Sequence, residues 1–170
     1  MRAKSFAGMA CSIAGALEAV GDRWGFLLMR DLILGLSRYD EFKDSMEIPA
    51  QTLALRLKHF ESAGLVVRRR YQTQPPRDEY KLTRKGRDFW VVLTALREWG
   101  DRWRMHEVEG PPLEIIDSST GRKLKLALVD PQSGTKVPTT RATVRAGPGA
   151  DARMLRRLGS RTGGSRTRRT

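Results

Sequence analysis

Between Arg23 and Leu82 the spacing of apolar residues changes once, from a helical period to a strand period, and the change falls at Gly64. Ahead of that glycine, Trp24, Leu27, Leu28 and Leu32 share one stripe, and Phe42 marks a short segment. Leu53, Leu57 and Phe60 then form a further stripe. Beyond it, Leu65–Tyr71 and Asp78–Leu82 have strand character and enclose the turn residues Gln72-Thr73-Gln74-Pro75-Pro76. A helix that stops at one residue and yields directly to a hairpin leaves little freedom in how the two are arranged.

The pattern predicts helices over Ile13–Val20, Arg23–Leu34 (stopped by Gly35), Tyr39–Met46 and Ala50–Ala63, with Pro49 beside the start of the last. After the hairpin, Thr83 is placed to cap a long helix reaching about Met105, with Phe89, Val92, Leu93, Leu96 and Trp99 near helical spacing. Helix, short helix, helix and hairpin in this order make a winged helix-turn-helix: mainly α with a β-hairpin wing. All 4 Trp, all 3 Tyr and all 5 Phe lie before residue 110, so the core belongs to residues 11–105, and Gly110-Pro111-Pro112 marks a linker. Leu113–Ile116, Lys123–Val129 and Arg141–Arg145 are short apolar-rich runs separated by turns, which suggests a small β-ribbon over 113–149. Two of those turns end in Gly121 and Gly134 and look like zinc knuckles, but no Cys or His lies in 113–170 to hold a metal. Residues 150–170 are basic and, from Gly159 on, lack apolar anchors, so this tail is expected to be disordered.

Charge narrows the function. The 170 residues carry 32 Lys+Arg against 19 Asp+Glu, a net of +13, which points to a polyanionic partner. Residues 1–109 hold 19 basic and 15 acidic side chains, a net of +4, whereas 110–170 hold 13 and 4, a net of +9. The part able to fold is nearly balanced; the appendage carries the excess. A single cysteine suits a reducing compartment, and no apolar run reaches membrane-spanning length. The weakly apolar start, rich in Ala and Gly and closed by Glu18 and Asp22, reads as an amphipathic helix rather than a signal peptide, so a cytoplasmic protein is expected. With His59, His106 and Cys11 scattered, no nucleophile–base pair or metal cluster is recognisable, and neither an enzyme nor a cofactor is expected.

The outer face of the fourth helix supplies the candidate contacts to double-stranded DNA. Gln51 can pair bidentately with adenine, Thr52 and Leu55 can touch thymine methyls, and Arg56, on the flank, suits a phosphate. Lys58 and His59 lie further along, toward the backbone or solvent. On the first strand, Leu65, Val67 and Tyr71 are assigned to the core face, which turns Arg68 and Arg70 outward. These two, with Arg77 after the Pro-Pro turn, are candidates for phosphate contact along the wing. The rival reading is a basic winged-helix protein that binds RNA or DNA non-specifically, although the aromatics sit at core-like spacing rather than as a stacking platform.

Particular residues also resemble a known family. Cys11, Ala16-Leu17, Gly21 and Trp24 are similar to the start of the HxlR family of bacterial transcription regulators. The resemblance continues through Leu53-Ala54-Leu55-Arg56-Leu57, Ala63-Gly64-Leu65-Val66, Pro75-Pro76-Arg77, Glu79-Tyr80, Leu82-Thr83, Gly86 and Leu96-Arg97-Glu98-Trp99. It implies a homodimeric DNA-binding regulator. On that basis Ile13, Leu17, Trp90, Leu93, Leu96 and Trp99 become candidates for a dimer seam. It also implies a possible sensor role for Cys11, since some relatives use an N-terminal cysteine to detect oxidants or electrophiles, and Arg2 and Lys4 would favour its thiolate. Two departures stand out. Asp22-Arg23 occupies the place of a frequent Gly-Lys pair, and Ser12 stands where proline usually follows the cysteine.

Overall fold

A computed structural model describes residues 5–162. The chain divides into two compact units, one from Leu17 to Leu126 and one that combines the residues before Leu17 with those from Ala127 onward. The first unit contains the last four residues of α1 (Ser12–Val20) together with α2 (Arg23–Ile33), α3 (Tyr39–Met46), α4 (Ala50–Ser62), β1 (Val66–Gln72), β2 (Arg77–Leu82), α5 (Arg84–Asp88) and α6 (Trp90–Arg102). This is a mainly helical fold with one antiparallel hairpin, a winged helix-turn-helix.

Local chemistry sets each boundary. Asp22 caps α2 by accepting from the Trp24 and Gly25 amides, and Glu41 reaches back to the Ser37 and Arg38 amides to start α3. The tight turn after α3 places Glu47 at φ 50°, buries Ile48 and begins α4 beside Pro49. Tyr39 then donates to the Ala50 carbonyl at 2.8 Å, tying the first turns of the two helices together. Leu53, Leu57 and Phe60 of α4 pack into a core with Val20, Leu28, Met29, Leu32, Phe42, Met46, Ile48, Leu65 and Val66. Leu27, placed by its spacing in the buried stripe of α2, is instead exposed, and Met29 takes its place.

The hairpin begins one residue later than its sequence suggests. Leu65 is held in the exit turn of α4, its amide donating to the Phe60 carbonyl and its carbonyl accepting from Thr83, so the ladder starts with Val66 opposite Leu82. That shift puts Val66 in the core and leaves Val67 and Tyr71, expected inside, on the exposed side. A short extended piece ahead of α3 adds a third edge. Arg38 bridges to Glu79, and the Tyr80 amide donates to the Ser37 carbonyl.

The long helix expected after Thr83 is two helices, α5 and α6, joined at Phe89. Thr83 does act as the cap, accepting from the Gly86 amide and donating to the Gly64 carbonyl. Phe89 closes α5 with a tighter bond to the Gly86 carbonyl and packs on Phe26, ring centroids 5.7 Å apart. Gly86 is where α5 meets the exit turn of α4, since a Cβ there would lie 2.2 Å from the Leu65 carbonyl oxygen.

Beyond α6, Ile116 bridges to Lys123 around the turn Asp117–Gly121. In the second unit, β3 (Leu128–Val129) pairs with β4 (Lys136–Val137) around the similar turn Asp130–Gly134. In each turn the aspartate carboxylate accepts from the amide two residues on, and the glycine adopts positive φ. Arg141–Arg145 forms no strand. Disorder, expected from 150 onward, does not describe Ala152–Thr162, which form helix α7; Met154, Leu155 and Leu158 supply the apolar spacing that the composition obscured. The rest of the tail, and Arg2 and Lys4, lie outside the described residues.

Substituting Gly86→Ala should cost about 1–3 kcal/mol of stability through overpacking against backbone. Urea unfolding followed by tryptophan fluorescence measures it, and an unchanged midpoint would contradict this packing.

Candidate nucleic-acid interface

With Leu53, Leu57 and Phe60 buried, the opposite side of α4 is fixed as its outer face. Gln51 and Lys58 are exposed, Leu55 is 58% exposed, and Thr52 is half-buried at the edge. An exposed leucine opposite a core stripe, flanked by an amide and an ammonium, offers apolar and polar contacts within two helical turns. Arg56 and His59 are placed differently from the expectation. Arg56 Nη2 donates to Asp22 Oδ2 at 2.6 Å, and His59 Nε2 lies 2.9 Å from the Glu18 carbonyl oxygen. Both turn back onto the protein. Partial burial opposes ionisation of Asp22, but the Arg56 guanidinium and the Gly25 and Trp24 amides outweigh it and hold the carboxyl below its ordinary range.

The wing shows a similar division. Arg70 and Arg68 lie on the Asp78 side of the hairpin and both bond its carboxylate, which holds that group below the ordinary aspartate range. Their combined charge is thereby halved locally, although both side chains remain about half exposed. On the opposite side of β1 lie Val67, Arg69 and Tyr71, with the Arg38 guanidinium stacked 4.6 Å over the Tyr71 ring. Among the described residues, Arg69 and Arg77 have no ion-pair partner, and both are exposed. Arg69 shares the face of β1 that the sequence pattern, through Val67 and Tyr71, assigns to the core. The one-residue shift of the ladder is what exposes it. Arg38 went unnoticed because nothing in the local pattern announces that the segment before α3 joins the wing.

Of the six proposed seam residues, Ile13, Leu17, Trp90, Leu96 and Trp99 are exposed, but Leu93 packs against the core and is withdrawn from that set. Trp103, at 62% exposure, joins the exposed apolar residues of this region. Cys11 is a free, half-buried thiol just ahead of α1. Among the described residues no three His, Cys, Asp or Glu side chains cluster as metal ligands, and no helix is long and apolar enough to cross a membrane. A cavity of about 940 Å³ lies away from α4 and the wing, between α6 and residues 104–125, with Arg97, Asp101 and His106 in its wall.

The model of the HxlR-like helix-turn-helix family matches residues 19–108, which span α4, the wing and α6. This chain belongs to that family. Its relatives include Rv3095 of Mycobacterium tuberculosis, an HTH-type transcriptional regulator 33% identical over 143 residues, 84% of this chain and 90% of the relative. Among solved structures it is similar to PA1374 of Pseudomonas aeruginosa, solved as a candidate transcription factor, with 39% identity and a TM-score of 0.60 over 87% of this chain and all of that one. The redox regulator HypR in its reduced form is 32% identical, with a TM-score of 0.52 over 55% of this chain and 94% of HypR. The matches to Rv3095 and PA1374 are too long to end at residue 108, so part of the appendage is shared with those proteins. The protein is a transcription regulator of the helix-turn-helix type.

Asp78→Asn should release Arg68 and Arg70 and strengthen binding to random duplex DNA, steepening the dependence of log affinity on log salt by roughly one. Titration of a labelled duplex at several salt concentrations reads both quantities. An unchanged slope would remove these two arginines from the interface.

Proposed function

We propose that this HxlR-like protein is a sequence-specific DNA-binding regulator that acts as a homodimer on an inverted-repeat operator. The observation that carries the reading is the division of α4, one face sunk in the core and the other presenting Gln51, Leu55 and Lys58, with the hairpin leaving directly from its end. A helix of this kind fits a major groove of ~12 Å, where Gln51 and Thr52 at its N-terminal end meet base edges. Arg69 and Arg77 then take the phosphate contacts along the wing, joined by Arg68 and Arg70 to the extent that Asp78 releases them.

Exposed apolar side chains on α1 and α6 support the dimer. Ile13 is 71% exposed, and Trp90, Leu96 and Trp99 on α6, with Trp103 just past its end, add a long apolar surface, more than a lone surface helix would carry. Two-fold pairing through these residues would set two α4 helices about 34 Å apart, one turn of DNA. The same observation weakens the RNA-binding alternative, because the exposed tryptophans lie on α6 or just past its end and not on α4 or the wing. HypR is a redox regulator, and Cys11 is the one thiol through which this chain could respond in the same way.

Gln51→Ala should lower the preference for the operator over random duplex by roughly tenfold per half-site, the value of one bidentate base contact. A competition assay reads that ratio, and a preference left intact would exclude Gln51 as a reader. Replacing both Leu96 and Trp99 by aspartate should convert the dimer to a monomer in sedimentation; an unchanged sedimentation coefficient would remove α6 from the seam. Diamide treatment should alter operator binding by the wild type and leave Cys11→Ser unaffected, whereas equal behaviour of the two proteins would remove the sensor role.

A further inference from the structure

We propose that Arg56 and His59 are positioning residues, which hold α4 against the corner between α1 and α2 and so set which of its side chains face DNA. This rests on the reading of α4 as the helix that enters the groove. Each oxygen of the Asp22 carboxylate is already committed. Oδ1 accepts from the amides of Trp24 and Gly25, at 3.1 and 3.3 Å, and caps α2, while Oδ2 accepts from Arg56 Nη2 at 2.6 Å. The guanidinium is drawn in against the protein, with its Nε buried and without an acceptor. Beneath it Gly21 turns the chain from α1 into α2 at φ 90°, and a Cβ at that glycine would lie 3.6 Å from Arg56 Nη1.

One turn further along α4, His59 meets the same corner. Its Nε2 lies 2.9 Å from the Glu18 carbonyl oxygen, in the last turn of α1, and the imidazole N–H donates to it. Two attachments three residues apart fix not only how far α4 stands from α1 but also its rotation about its own axis. A small rotation would carry Gln51 and Leu55 away from the base edges while the core stripe still remained covered. Neither Arg56 nor His59 needs to touch a base to control which bases are read. Because α1 also carries the exposed Ile13 and Leu17, a change at that helix has a short covalent and hydrogen-bonded route to the reading face.

A phosphate contact by Arg56 and a positioning role give opposite results in one experiment. Wild type, Arg56→Lys, Asp22→Asn and the double variant are titrated, over a range of salt, with the operator duplex selected from a random pool and with random duplex. Positioning requires each single variant to lower the operator-to-random affinity ratio roughly five- to tenfold, with the double variant no worse than either. The salt slope stays unchanged because no phosphate contact is lost. The positioning role is overturned if Arg56→Lys keeps the full ratio. It is equally overturned if Asp22→Asn tightens binding to both duplexes with a steeper slope, the signature of an arginine freed for phosphate. His59 provides an arm that spares the α2 cap: His59→Gln, which keeps an N–H donor, should retain the ratio, and His59→Ala should lose it. Equal ratios for those two variants overturn the role of His59. Equal affinity of the wild type for all duplexes would instead overturn the DNA-reading role of α4, and that result is visible before any variant is made.

Discussion

Burial of Leu53, Leu57 and Phe60 is the constraint on which the rest of this molecule depends. Each such side chain contributes about 1.5–3 kcal/mol when removed from water, so rotating α4 to hide a different face would forfeit most of the core it closes. With the inner face fixed, the outer face follows to within a small rotation of the helix. The helix exit at Gly64, the inward Leu65 and the start of the hairpin are also fixed, because Leu65 closes the turn with its amide on the Phe60 carbonyl and, with its own carbonyl, takes the Thr83 amide and aligns the return strand. Reader and wing form one mechanical piece.

Polar contacts then refine what packing permits. Tyr39 joins the first turns of α3 and α4, Asp22 and Arg56 join the α2 cap to α4, and Asp78 gathers Arg68 and Arg70 on one side of the wing. Acid should loosen the last two arrangements. A carboxylate whose folded-state ionisation is favoured adds stability above its unfolded pKa, near 3.9 for aspartate, and loses that contribution as pH falls through its lower folded value. Both ion pairs are therefore intact at neutral pH, and the net charge of the wing is lower there than its arginine count suggests.

The helices were legible because 3.6-residue stripes at Leu28, Leu32, Phe42, Leu53, Leu57 and Phe60 repeat what the core requires. The wing was less legible: a strand's facing depends on parity, and one residue, Leu65, spent in a turn inverted the assignment of Val67 and Tyr71. The site divided along similar lines. Gln51, Leu55 and Lys58 face outward as their position on the stripe dictates, but no periodic pattern shows that Arg56 meets an aspartate 34 residues earlier or that His59 meets the α1 carbonyl. Long-range partners of that kind are invisible to local spacing. Asp22 did leave a trace, since it occupies a place where the family often has glycine, and the structure supplies that departure with a function in packing. Leu93 and Leu27 were misplaced for a simpler reason: on a helix with apolar residues on more than one face, spacing alone does not say which face is covered.

Recovery of bound duplexes from a random pool tests the account most directly, because reading by α4 and two-fold pairing must both leave their mark in the recovered sequences. The expected result is enrichment of an inverted repeat whose half-sites are centred about one helical turn apart, ~10 base pairs. Recovery of unenriched sequence, or of single half-sites with no partner, would contradict it.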